Sequence, residues 1–233
     1  MGILLSCFVG VILFVVYILL SYKEKNIKGL LVKSFVSVSY LLVAAFSTFS
    51  NPDNYFFGIL VIIAGILGLK GDIYLEQKWM YPDHKDDYMK IGFICFGIGH
   101  IFYIWAMYTM IDLTMTERLI PLAFGILLVL GNLILEKPTK QNFGKYNGYV
   151  CAYGLVLGYT TALGALIYFK TSDAYALVFA IGGVSFMVSD LVLSQIYFGE
   201  NKNTSANFVI NMITYYLAQF VIALTPALIG IEW

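Results

Sequence analysis

The sequence predicts an all-α polytopic membrane protein, a bundle of eight transmembrane helices. Three observations carry this. The 233-residue chain is 60% hydrophobic and 12% charged, against roughly 45–50% and 25% for soluble domains. Its apolar residues fall in runs of about 20, the length a helix needs to cross a hydrocarbon core of about 30 Å. The runs lack the period-two alternation of barrel strands, so helices rather than a closed barrel satisfy the backbone in lipid.

The runs lie at 2–22, 30–50, 56–75, 91–111, 119–135, 147–169, 174–198 and 206–230. The first is apolar from Gly2 onward with its lysines behind it. That is the order of an anchor entering N-terminus out, not of a cleaved signal peptide. Met1-Gly2 with Ser6 matches a myristoylation pattern in form, but the segment is already a span. The third run ends where Asp72 falls. After it comes the longest expected loop, 76–90, which is charged and aromatic. Trp79 and Tyr81 are expected there at headgroup level. His84 beside Asp83, Asp86 and Asp87 has the residue types of a metal site, but acidic loops are common and a solvated interfacial loop is the expectation. No loop is long enough to hold a second core, so 1–233 is expected to be a single transmembrane domain. Cys7, Cys95 and Cys151 lie in or near runs without a CxxC pair. They read as small buried hydrophobes, and no disulfide framework is expected.

Charge placement predicts the topology. The segments after runs 1, 3, 5 and 7 carry Lys23, Lys25, Lys28, Lys33, Lys70, Lys78, Lys85, Lys90, Lys137, Lys140, Lys145 and Lys202. The other side has only Arg118 and Lys170. By the positive-inside rule the odd-numbered connections are cytoplasmic. The expectation is a multi-pass protein of the cell membrane with both termini extracytoplasmic. The net charge is zero, which gives no sign of a nucleic-acid partner.

Two carboxylates stand where lipid should exclude them. Asp190 lies inside run 174–198 and Asp72 closes run 56–75. A carboxylate at membrane depth costs about 2.5–3.5 kcal/mol on insertion scales, and such residues usually face a polar interior. In the last run Asn207, Asn211, Tyr215 and Gln219 recur every four residues and share a helix face. His100 and Tyr103 are three apart on another face, and Ser194 follows Asp190 by four. Interhelical hydrogen bonding explains the stripe and the histidine as well as a site does. The aspartates are harder to explain as glue. Helical rise places Asp190 about 12 Å from the end of its span and His100 about 15 Å in from Lys90. With Asp72, Asn211 and Tyr215 they fall in the inner half of the membrane. Depth says nothing of their lateral proximity.

Four segments in order carry a resemblance. Gly71-Asp72-Ile73-Tyr74-Leu75 resembles the GDxxL element of the YhhN membrane proteins, and Gly99-His100-Ile101-Phe102-Tyr103 their aHxxY element. Phe186-Met187-Val188-Ser189-Asp190 resembles F-x-x-SD, and Tyr215-Tyr216-Leu217-Ala218-Gln219 the YYxAQ ending. Tyr153 stands where span 6 of the family has a tyrosine. The resemblance covers about 56–222; the first two spans match only in hydrophobicity. The charged stretch after span 3 is longer than usual, and Gly158-Tyr159 replaces a methionine-containing stretch. Animal members are lysoplasmalogenases. The resemblance therefore implies hydrolysis of the vinyl ether of a lysophospholipid, to a fatty aldehyde and a glycerophospho-headgroup.

The residues fit that chemistry on their own terms. A vinyl ether is cleaved by protonating its β-carbon, which forms an oxocarbenium ion that water captures. Paired carboxylates serve related oxocarbenium chemistry in glycosidases, and two close carboxylates share one proton. Asp190, the deeper, is expected as the acid and Asp72 as base or cation stabiliser. His100, Tyr103, Tyr153, Asn211, Tyr215 and Gln219 are expected to bind substrate or to orient these groups. The expected partners are a lysophospholipid substrate and membrane lipids. No cofactor is expected. No metal is expected either, since two histidines, one of them in a loop, cannot build a three-histidine zinc site. A proton-coupled transporter of small molecules or lipids also buries acids, but its marks, broken helices and an internal repeat, are not evident. A noncatalytic membrane scaffold is the third reading.

Overall fold

The computed structural model describes residues 1–21 and 25–231; Lys23 lies outside them. Eight helices follow in order: α1 Gly2–Ser21, α2 Ile27–Phe49, α3 Tyr55–Met80, α4 Lys85–Tyr108, α5 Met115–Leu135, α6 Asn147–Thr171, α7 Ala174–Phe198 and α8 Ser205–Leu224. Each is long and apolar enough to cross a membrane, so the chain is a multi-pass membrane protein. Among the described residues there is no strand, only an isolated bridge between Gln141 and Gly199. The three cysteines are free thiols.

Local chemistry sets the ends. Asn26 caps α2 by accepting from the Gly29 N–H at 2.9 Å. Thr114 and Glu117 form a reciprocal capping box at the start of α5. Thr204 caps α8 by accepting from the Asn207 N–H. Ser172 closes α6 in the left-handed region at φ 59°. Pro226 lies in the 3-10 turn Thr225–Leu228, so the last span is an α-helix to Leu224 and a tighter turn beyond it.

The largest departure from the sequence reading is the expected 76–90 loop. It is mostly helix: α3 runs on through Glu76, Gln77 and Lys78 to Met80, and α4 begins at Lys85. Only the turn at Tyr81 and the 3-10 segment Pro82–His84 separate them. Glu, Gln and Lys are good helix formers, and Pro82 pushes Tyr81 out of helical geometry. Hydropathy alone had ended the span where charge began. Trp79 packs edge-on to Tyr197, 6.3 Å between ring centroids, and Asp86 is held by Lys145 and Tyr146. Lys28 and Lys33 lie in α2, Lys70 and Lys78 in α3, and Lys85 and Lys90 in α4. Lys33 and Lys78 are buried, so they are not loop lysines.

The helices pack mainly with their chain neighbours, and α2–α8, α3–α8 and α4–α6 contacts close a core. The two outer helices bury least: α1 leans chiefly on α2, and α5 on α6. At the α5–α6 seam Gly125 meets Gly158. A Cβ on Gly158 would lie 2.8 Å from the Gly125 Cα, so the resemblance's missing methionine is here a close helix crossing. The neighbouring Tyr159 hydroxyl bonds that of Tyr108.

Contacts between connections define two ends. The α1–α2 connection meets α3 through Lys25 and Glu76. The α3–α4 turn meets the α5–α6 connection through Asp86 and Lys145. The latter meets the α7–α8 connection, where the Asn142 N–H donates to the Phe198 carbonyl at 3.0 Å. At the opposite end Lys170 pairs with Glu117 at 2.6 Å, and Asn51 Nδ2 donates to the Ile229 carbonyl at 2.9 Å. The odd-numbered connections thus share one end, which is the lysine-rich one.

Candidate functional site

A cavity opens within the lysine-rich half of the bundle. Asp72 and Asp190 both line it, with Lys33, Tyr153, Ser194, Asn211 and Tyr215, over apolar walls from Leu75, Phe93, Leu128 and Leu157. The expected convergence in depth is therefore also lateral for these groups. The two carboxylates do not bond each other; each has its own partners.

Asp72 is buried and held by three donors. Lys33 Nζ lies 3.2 Å from Oδ1. Tyr215 and Ser37 donate to Oδ2 at 2.7 and 2.9 Å. A chain of hydroxyl and amide groups runs back from it. Tyr103 donates to Gln219 Oε1 at 3.2 Å, and Gln219 Nε2 donates to the Tyr215 hydroxyl at 3.1 Å. Tyr215 and Gln219 of the α8 stripe and Tyr103 of α4 thus form one network that ends on Asp72.

Glu76, one turn beyond Asp72 on the same face of α3, extends the charge. It pairs with Lys33 at 3.3 Å and Lys25 at 3.4 Å, and accepts from the Tyr17 hydroxyl at 3.4 Å. Lys33 therefore bridges two acids. The buried Lys78 meets no described carboxylate within ion-pair distance; its ammonium sits 2.7 Å from the Tyr197 ring centroid.

Asp190 is set differently. It is partly buried, accepts from the Tyr153 hydroxyl, and has no described cation within ion-pair distance. His100 is buried among rings, 5.0 Å from Phe186, 5.7 Å from Tyr153 and 5.8 Å from Tyr103. Neither ring nitrogen meets a hydrogen-bond partner among the described residues. It packs against Tyr153 and Tyr103 and does not line the cavity.

Of the remaining expected residues, Asn211 is buried and clamps Ser189, donating to its carbonyl at 2.9 Å and its hydroxyl at 2.8 Å. Asn207 lies at the start of α8 and donates to the Lys202 carbonyl at 2.8 Å, outside the buried stripe. Ser194 donates to Gln141. Among the described residues no group of three or more His, Cys, Asp or Glu is placed to hold a metal. Lys33, Ser37 and Glu76 were missed by sequence reasoning. Their signal was present: Lys33, Ser37 and Tyr40 fall on one face of α2, as Asp72 and Glu76 do on α3.

With this geometry in place, the model of the YhhN family matches residues 29–226. The match takes in nearly all of α2, including Lys33, where the motifs alone reached only to the third span. No curated protein and no solved structure matches.

Proposed function

Because the chain belongs to the YhhN family, we propose that it is an intramembrane hydrolase of the lysoplasmalogenase type. It would cleave the vinyl ether of a single-chain phospholipid to a fatty aldehyde and a glycerophospho-headgroup. The observation that supports this most is the largely apolar cavity onto which Asp72 and Asp190 both open. A hydrocarbon chain suits its walls, and a cation forming inside it would find a carboxylate.

The different surroundings of the two acids divide the work. Asp72, met by an ammonium and two hydroxyls, has the surroundings that favour a carboxylate. It is the stabiliser of the oxocarbenium ion. Asp190, with one hydroxyl donor, is the group free to give up a proton. Its O–H breaks as a C–H bond forms at the vinyl β-carbon. Water then adds to the carbon bearing oxygen and returns a proton to Asp190. The hemiacetal collapses as that proton passes to the departing glycerol oxygen, its C–O bond breaks, and the hemiacetal hydroxyl gives its proton to Asp190, which leaves the aldehyde and restores the acid. Pairing two carboxyls in distinct environments is how one site runs acid and base steps.

The test is aldehyde release from a lysoplasmalogen by purified protein. The matched saturated alkyl ether, which offers no vinyl carbon to protonate, should stay intact. In deuterium oxide the reaction should slow and leave deuterium at the aldehyde α-carbon. Aldehyde lacking that label would reject carbon protonation. The orientation proposed with this reading puts the lysine-rich end in the cytoplasm. Single cysteines at the exposed Asp53 and Asn142 in a Cys-free background report on it. An impermeant reagent on intact cells should label Asp53→Cys and spare Asn142→Cys; the reverse pattern inverts the topology.

A further inference from the structure

A second cavity lies beside the first at the lysine-rich end. Lys33, Leu193, Tyr197, Asn211 and Met212 line both, so the two share a wall. Their chemistry differs. The second is bounded by Ser21, Lys25, Glu76, Asn203 and Thr204. Asp72 faces only the first.

We propose that this second cavity is a subsite for a phosphate ester, with Lys25 as its cation and the first turn of α8 as its second positive pole. This rests on the single-chain lipid reading and extends it: the chain and vinyl ether occupy the first cavity and the phosphate occupies the second.

Four observations support it. The described charges on the wall are Lys25 and Lys33 against Glu76, and Lys33 also serves Asp72 at 3.2 Å. The Lys25 ammonium lies 3.4 Å from Glu76 and from the Tyr17 hydroxyl and 3.5 Å from the centroid of the Phe208 ring, and its side chain keeps 21% exposure. The 20-residue α8 presents its N-terminal turn, through Thr204, to the same space, and a helix N-terminus favours an anion. Ser21, 2% exposed, lines the cavity with a hydroxyl that meets no partner among the described residues. The junction adds a fit. Asn211 lines both cavities, and its Oδ1 is buried without a partner among the described residues while Nδ2 is committed to Ser189. An acceptor there suits the free hydroxyl that a single-chain glycerolipid carries between its ether and its phosphate.

The test uses a ligand that needs no turnover. A saturated alkyl-ether lysophosphoethanolamine and the corresponding alkylglycerol differ only in the headgroup. Of the three tryptophans, Trp79 lines the second cavity. Its fluorescence in a Trp105→Phe, Trp233→Phe background follows binding to the full chain in micelles. The phospholipid should bind at least about ten-fold tighter than the alkylglycerol. Lys25→Ala should abolish that difference and Lys25→Arg should restore it. Equal binding of the two ligands overturns the proposal, and this comparison stands in the unchanged protein even where Lys25→Ala fails to fold. An equal loss for both ligands in folded Lys25→Ala also overturns it. Inorganic phosphate as tight as the lipid would mark a free-anion site and overturn the lipid assignment. Because neither ligand carries a vinyl ether, an inert lysoplasmalogen would sink the hydrolase reading and leave this result untouched. Conversely, equal turnover of a headgroup-free alkenylglycerol would keep the hydrolase and overturn the subsite.

Discussion

The two carboxylates of the cavity are wired in opposite ways. Asp72 belongs to a wall of charge: Lys33, Glu76 and Lys25 tie α2 and α3 to the α1–α2 connection, and Tyr215 ties in α8. Asp190 belongs to a wall with one polar link, the Tyr153 hydroxyl from α6. The same residue type is therefore structural and electrostatic on one side, and chemically available on the other. A buried acid in a membrane protein is informative only with its partners named.

The comparison can be broken most forcefully at Lys33. Removing one partner of a buried charge network typically costs about 3–5 kcal/mol, and Lys33→Met leaves both Asp72 and Glu76 short of a cation. Denaturation in micelles should show a loss of that size. Lys33→Met combined with Asp72→Asn and Glu76→Gln should recover part of it. A single variant as stable as the parent would dissolve the charged wall as a structural element.

Asp190→Asn comes next. It should slow aldehyde release by at least about 100-fold, the scale of a lost general acid, or about 2.7 kcal/mol of barrier. Thermal stability should barely change, since no described ion pair is broken. Asp72→Asn should lose activity and stability together. If both variants destabilise equally, the contrast between the walls fails.

A finer probe is Tyr153→Phe, which deletes the one hydroxyl bound to Asp190. Stability should fall by about 1 kcal/mol, the net worth of an ordinary hydrogen bond. Turnover should fall less than in Asp190→Asn. A Tyr153→Phe rate as low as that of Asp190→Asn would make the tyrosine, not the aspartate, the proton donor.

A last probe is a pH dependence. Burial lowers the Lys25 ammonium to about 8, while Glu76 pulls it up and Lys33 pushes it down. The described titratable groups facing it are Tyr17 from α1, Lys33 from α2 and Glu76 from α3; from α8 it meets the Phe208 ring, 3.5 Å away. Its folded value lies below the ~10.4 of an unfolded lysine, so the unfolded chain binds that proton more readily. Stability should therefore climb as pH rises from about 8 toward ~10. Melting temperature against pH should show the climb, and Lys25→Met should flatten it.

What the sequence made legible follows from what lipid penalises. The eight spans stand out because water-soluble chains cannot carry such runs. Asp72, Asp190 and His100 stand out because they interrupt them. Lys33 and Glu76 did not, since charges near the ends of apolar runs look the same whether they meet headgroups or fold inward to pair. Burial decides between those cases, and hydropathy does not report it. The α8 stripe was legible as a face, but its target was not: that Asn211 clamps Ser189 while Tyr215 reaches Asp72 depends on helix rotation and crossing. The family match now beginning within α2 agrees with Lys33 being part of the network and not of a connecting loop.

One helix bears on how a lipid of the proposed kind would reach the cavity. α5 supplies Leu128 and Asn132 to the cavity wall, yet it leans chiefly on α6 and turns most of its surface to lipid. A single-chain amphiphile gains about 0.8 kcal/mol per buried methylene on leaving water, so nearly all of it resides in the bilayer. For a cavity walled this way the governing variable is two-dimensional, the mole fraction of ligand among the surrounding lipids. Adding inert lipid at constant total ligand should lower occupancy as surely as removing ligand, and constants expressed per litre of buffer would shift with every preparation of vesicles.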